Sequence, residues 1–193
     1  MKTVILYTTR YGATERCAKA LADLLDGETE LFNLARESRK VDLSAYDRVI
    51  CGGAVYMGKV DPALTQYCIH KEPELVTKQV GLFTCGLSQE EAAQLQFMAA
   101  YPEELRKHAA ATACLGTEVE PKKLRLFDKL ILKMAGKHMQ MDKLRQPDGS
   151  ISTLDPAELQ KFVRKLQEST SACPQASAEA EALEQDAPAA EQA

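Results

Sequence analysis

The stretch LYTTRYGATERCAKAL, Leu6 to Leu21, joins the end of an apolar run to the start of a helix through a short turn. That turn holds four hydroxyl side chains, one glycine and one arginine. Upstream, KTVILYT (2–8) is short, β-branched and aromatic, and it ends at turn-forming residues, which predicts a buried strand. Downstream, Cys17, Leu21, Leu24 and Leu25 recur at helical spacing from about Ala13, and Gly27 stands where a helix-ending glycine belongs.

The same alternation continues along the chain. ETELFNL (28–34), DRVICGGAV (47–55), KQVGLFTCG (78–86) and AAATACLGT (109–117) read as further strands. Between them lie helical patterns. One starts at Asp61 as N-cap with Pro62 at the first helical position, and one starts at the capping box SQEE (88–91) and is interrupted by Pro102. Two more cover 121–137 and 155–169. Strands that are apolar throughout, alternating with helices, predict a parallel sheet covered on both faces: a doubly wound five-stranded α/β sheet of order 2-1-3-4-5.

A chain of 193 residues suits one domain, placed here at 1–170, followed by a tail at 171–193. That tail has nine alanines, five acids and no Lys or Arg, too little apolar surface to bury, and is expected to be disordered. Without it the chain carries 24 basic and 23 acidic residues, so the body is close to neutral and no nucleic-acid partner is expected. Six cysteines with no CxxC pair point away from a zinc site or disulfide framework and towards a reducing cytosol. The N-terminal apolar run is too short for a signal peptide, and no run approaches a membrane span; a cytoplasmic protein is expected.

In an open parallel sheet, ligands sit beyond the carboxyl ends of the strands where the order reverses, and the first strand ends there. A helix start offers free N–H groups and the positive end of its dipole to an anion. Thr8, Thr9 and Thr14 add hydroxyls, and Gly12 lets the backbone close around a phosphate. The plainer reading, in which the threonines only cap a helix, stays open on these residues alone. Triphosphate and dinucleotide loops are excluded, because neither GxxxxGK[ST] nor GxGxxG occurs. A phosphoacceptor receiver domain does not fit either, since no acidic pair ends the first strand and CGGA ends the third.

TTRYGAT (8–14) resembles the phosphate loop of flavodoxins, which holds the 5'-phosphate of FMN. GGAVYMGK (52–59) is similar to the flavodoxin loop beside the isoalloxazine, and TCGLSQ (84–89) to the loop at the pyrimidine edge. The resemblance implies a flavodoxin-like fold and an FMN site formed by Thr8, Thr9, Arg10, Tyr11, Gly12, Ala13 and Thr14, by Ala54, Val55, Tyr56, Met57 and Gly58, and by Thr84, Cys85, Gly86 and Leu87. It implies phosphate contacts from Thr9, Arg10, Gly12, Ala13 and Thr14 through N–H groups and two threonine hydroxyls. Arg10 departs from the family's usual pattern; it points either at the phosphate or into solvent. Tyr56 is the expected stacking residue with Met57 next, and Gly58 the residue that permits a peptide rearrangement at flavin N5. Phe97 or Tyr101 either folds over the outer flavin face or belongs to the helix core. Cys85 is expected to pack rather than react.

KTVILYTTRYGAT, YDRVICGGAVYMGK and RLFDKLILKMAGK further resemble segments of bacterial menaquinone-dependent protoporphyrinogen oxidases, although 87–108, rich in Ala, Gln and Glu, departs from that family's basic insertion. This implies a flavin-carried oxidoreductase whose partner is a redox protein or a quinone- or porphyrin-type molecule. The plain electron carrier and a cofactor-free binding protein remain as alternatives. The segment 121–145 carries eight Lys or Arg against Asp128 and Asp142, with Leu124, Phe127, Leu130, Ile131 and Met134 on the other face. Such a helix either packs on the core with a solvated basic face, or meets an anionic membrane surface on its inner side or an acidic redox partner. The three histidines are scattered and imply no metal or base.

Overall fold

The strand read from the opening run is Lys2–Thr8 (β1) in the computed structural model, which describes residues 1–36, 41–88, 90–126, 128–129, 146–147 and 149–171. It is followed by α1 (Ala13–Leu24), β2 (Glu28–Asn33), β3 (Arg48–Tyr56), a two-residue β4 (Lys59–Val60) and α2 (Pro62–Leu75). Then come β5 (Gln79–Cys85), α3 (Glu90–Ala100), α4 (Glu103–His108), β6 (Ala111–Leu115), β7 (Glu118–Val119), β8 (Ile151–Ser152) and α5 (Pro156–Ser171). The main sheet runs β2-β1-β3-β5-β6, all parallel. This is the expected doubly wound order, renumbered only because β4 adds a short antiparallel strand to the end of β3.

Alternation along β1 sorts its side chains into two cores. Val4 and Leu6 face one side, with Val49 and Cys51 of β3, Leu64, Cys68 and Leu75 of α2, and Phe97, Tyr101 and Leu105. Ile5 and Tyr7 face the other, with Cys17, Ala18 and Leu21 of α1 and Leu159, Phe162, Val163 and Leu166 of α5. Each fully buried Leu, Ile or Phe contributes about 1.5–3 kcal/mol relative to exposure, so a strand buried on both faces holds both helix layers to the sheet. Gly52 is glycine for room: a Cβ there would lie 2.0 Å from Cζ of Phe83, its register partner on β5.

Helix starts follow the expected chemistry. The Asp61 carboxylate accepts from the Ala63 N–H with Pro62 at the first position of α2, and Pro102 breaks the second helical stretch into α3 and α4. The SQEE start falls partly on Gln89, outside the described residues.

Two expectations are corrected. Leu24 is 40% exposed, and Ala18 takes its place on the buried stripe of α1. The helix expected from 121 begins instead as a single 3-10 turn, Pro121–Lys123, after which Leu124 is extended and helix resumes only at Leu126. The ring of Pro121 starts that turn, but nothing carries it through Leu124. The strand pairs β3–β4 and β7–β8 were not predicted, because two-residue strands are too short to show a period. Most of the basic segment 121–145, and the tail from 172, lie outside the described residues. No helix among the described residues is long and apolar enough to cross a membrane.

Candidate functional site

The turn between β1 and α1 lies at the carboxyl end of the strand where the sheet order reverses. Gly12 is the N-cap with φ 84°, a left-handed conformation that glycine adopts without strain, and no side chain caps the helix. Thr9 closes the loop on itself, its Oγ1 accepting from the Gly12 N–H at 3.0 Å. The first bond of α1 runs from the Arg16 N–H to the Gly12 carbonyl, so the N–H groups of Ala13, Thr14 and Glu15 stand at the uncapped positive end of the helix.

The threonines around this end divide into two kinds. Thr8 and Thr14 are fully buried, their hydroxyls without a hydrogen-bond partner among the described residues, and neither lines the cleft. Thr14 belongs to the buried stripe that continues through Cys17, Ala18 and Leu21, which turns its side chain towards the sheet. An anion at this end would therefore meet backbone N–H groups before it met the Thr14 hydroxyl.

The second wall is a hairpin. Val55 pairs with Val60 and Tyr56 with Lys59 across Met57 (φ 49°) and Gly58 (φ 77°), two left-handed residues in succession, as a tight hairpin turn of primed type requires. Met57 is a non-glycine residue held in that region, and a Cβ on Gly58 would have nothing within 4 Å. The third wall comes from Cys85 at the end of β5 and from Leu87 and Ser88 just after it. The Cys85 thiol is pushed well above its ordinary range by its hydrogen bond with Cys17 and by burial, which keeps it a protonated packing group.

These walls enclose a pocket of about 240 Å³. Of the predicted residues it brings together Thr9, Arg10, Tyr11, Ala13, Ala54, Val55, Tyr56, Met57, Gly58, Cys85 and Leu87. It leaves out Thr8, Gly12, Thr14, Thr84 and Gly86; Thr84 is buried in β5, and Gly86 turns its α-carbon to Val55. A second hollow of about 350 Å³ adjoins it and shares Thr9, Arg10, Ala54 and Tyr56, adding Lys59, Val60, Asp61 and Pro62.

Sequence reading missed the fourth wall, which the chain after β6 supplies through Thr117, Glu118, Val119, Leu124 and Asp128. Asp128 is only 4% exposed. The hydroxyls of Tyr11 and Tyr56 both donate to its carboxylate, one to each oxygen, and Arg10 Nη2 lies 3.7 Å from Oδ1. The Arg10 guanidinium carbon sits 3.9 Å from the centre of the Tyr56 ring, which places the cation on a face that a flavin would need for stacking. So Arg10 points neither at the helix end nor freely into water; it bridges Tyr56 and Asp128. The one available signal was Asp128 itself, an acid amid a run of bases.

Arg16 ties the same arm to α1: its Nε lies 2.9 Å from Glu118 Oε2, Nη2 donates to the Glu118 carbonyl at 3.1 Å, and Nη1 lies 3.5 Å from Glu120. Phe97 and Tyr101 stay in the core with ring centres 5.1 Å apart, and the Tyr101 hydroxyl lies 3.0 Å from the Cys51 carbonyl and 2.5 Å from that of Phe83. Neither folds over the cleft. His70 and His108 are exposed and separate, His138 lies outside the described residues, and no group of potential metal ligands occurs among the described residues.

The flavodoxin domain family model matches residues 4–146. A short-chain flavodoxin associated with a PDU bacterial microcompartment superposes with a TM-score of 0.55 at 13% identity, covering 88% of this chain and 98% of that one. A WrbA-like flavodoxin from Agrobacterium tumefaciens gives 0.47 at 17% identity over 88% and 98% of the two chains. The Fusobacterium nucleatum flavodoxin bound to flavin mononucleotide gives 0.49 at 11% over 87% and 98%. At such identities the likeness is one of fold. No curated protein matches the chain.

Proposed function

The chain belongs to the flavodoxin domain family, and on that premise we propose that it binds FMN between the Thr9–Thr14 turn, the Ala54–Gly58 hairpin and the Cys85–Leu87 loop, and transfers electrons through it. The observation that carries this reading is the uncapped start of α1 at the carboxyl end of β1, where the sheet order reverses, opening on the cleft that Arg10 lines. The residues present fit such a group. Ala13, Thr14 and Glu15 would offer N–H donors to the phosphate, Arg10 a charge, and Tyr56 or Met57 a surface for the ring. Bound FMN would supply one- and two-electron chemistry, while the chain sets its orientation and its exposure to water.

A melting experiment tests the reading. FMN at 100 times its dissociation constant stabilises the fold by about 2.7 kcal/mol. Riboflavin at the same concentration gives a smaller shift, because it lacks the phosphate. No shift with either, and no quenching of flavin fluorescence, would leave a cofactor-free binding protein.

Within this reading we favour the protoporphyrinogen oxidase type over the plain carrier. Its supports are the three resembling segments and the near-neutral body, where a plain carrier relies on strong acidity to steer basic partners. The partner is then a quinone or porphyrin, with the basic stretch 121–145 meeting an anionic membrane face from the cytoplasmic side. Quinone reduction by protoporphyrinogen in the presence of anionic vesicles is the expected result; without turnover, the plain carrier partnered by a redox protein stands.

A further inference from the structure

We propose that Asp128 is an internal counter-anion, holding the cation and both phenols of the cleft until a ligand phosphate claims Arg10, and that it thereby sets how strongly the site distinguishes phosphorylated from unphosphorylated flavin. The ligand's identity rests on the flavin reading above. The competition between carboxylate and phosphate for one arginine does not.

The geometry is that of an occupied anion site. A carboxylate almost wholly removed from water is held by Tyr11 and Tyr56 and paired with Arg10 at 3.7 Å. Arg10 lies only two residues before Gly12, whose helix end carries N–H donors with no side-chain cap. A phosphate seated there competes for the same cation once Arg10 turns towards it, and it repels a carboxylate that is itself removed from water. Arg10 is engaged with Asp128 and the Tyr56 ring, so to serve a phosphate at the helix end it must turn away from both.

The same pair also divides the space. The hollows of about 240 and 350 Å³ share Arg10 and Tyr56, stacked as a partition between them. A ligand site for a molecule of flavin size spans roughly 300–1,000 Å³, more than the first hollow alone provides. Turning Arg10 from Tyr56 towards the helix end joins the two hollows and frees the ring face in one movement. Asp128 then keeps only the two phenols, and the ligand's affinity is lowered by what the carboxylate loses.

Asp128→Asn removes the competing charge while keeping the shape and an acceptor oxygen. With full-length protein titrated by flavin fluorescence, D128N is expected to bind FMN about tenfold more tightly than the unsubstituted chain, with riboflavin affinity changed less than twofold. Tyr11→Phe removes one of the two phenols that hold the carboxylate and leaves it more dependent on Arg10, so it moves the FMN-to-riboflavin ratio in the opposite direction by about threefold, and serves if D128N does not fold. Inorganic phosphate, followed by melting temperature, raises the stability of D128N at concentrations that leave the unsubstituted protein unmoved. An FMN-to-riboflavin ratio unchanged in both variants, or shifted in each against the direction given, overturns the proposal, as does an equal response to phosphate. Loss of flavin binding in every form, with the phosphate difference intact, sinks the flavin reading and leaves the counter-anion standing.

Discussion

Arg10 and Arg16 flank one turn, and both reach the chain that follows β6, yet they do so in opposite electrostatic settings. Arg16 meets Glu118 and Glu120, both about a third exposed, so water shares the pairing and each contact is weak. Arg10 meets an acid at 4% exposure while itself remaining 46% exposed. The asymmetry matters because the member that cannot return to water decides the cost. Removing Arg10 strands a buried anion; removing Asp128 strands only a cation that solvent already reaches.

Both arginine pairs are disturbed most severely from behind the arm that bears their acids. A Cβ on Gly116 would lie 1.8 Å from the Thr153 carbonyl oxygen, a backbone atom that cannot rotate aside, so Gly116→Ala should shift the arm bearing Glu118, Glu120 and Asp128. An overpacking loss of about 3 kcal/mol is expected in urea unfolding, with both arginine pairs loosened.

Arg10→Met keeps the apolar stem and strands the carboxylate. It should cost about 2 kcal/mol, less than a fully buried pair because Arg10 is partly solvated and two phenols remain. Asp128→Asn, read in the same unfolding experiment, should cost less than Arg10→Met; the reverse order would refute the asymmetry.

Tyr56→Phe removes one donor to a charged acceptor and retains the ring under Arg10, for an expected loss of about 1.5 kcal/mol. The smallest effect belongs to Arg16→Met, at about 0.5 kcal/mol. Repeating the two arginine substitutions at about 1 M salt, where screening acts over only about 3 Å, should erase the Arg16 effect and leave most of the Arg10 effect. Equal salt sensitivity would show that Asp128 is as wet as Glu118.

Legibility differed along the same line. β1, α1, β3 and α2 could be read because apolar period, an Asp61 cap and Pro62 are local signals that act within a few residues. Thr14 was read as a phosphate contact through the resemblance, while the structure sets it with Cys17, Ala18 and Leu21 on the buried stripe of α1, a place the apolar residues alone did not mark. The hairpin at Met57–Gly58 was foreseen as a loop with a permissive glycine, but not its second strand, whose two residues carry no period. Asp128 was out of reach, since 117 residues separate it from Tyr11 and no spacing rule links them.

The sequence by itself determined the doubly wound sheet, the turn at its reversal point and the residue types of three cleft walls, because strand burial, helix capping and glycine turns depend on neighbours along the chain. Tertiary structure alone decided the fourth wall and the direction of Arg10. Both depend on a carboxylate brought from far along the chain into a space with little water, where it must find a cation and donors or remain unpaired.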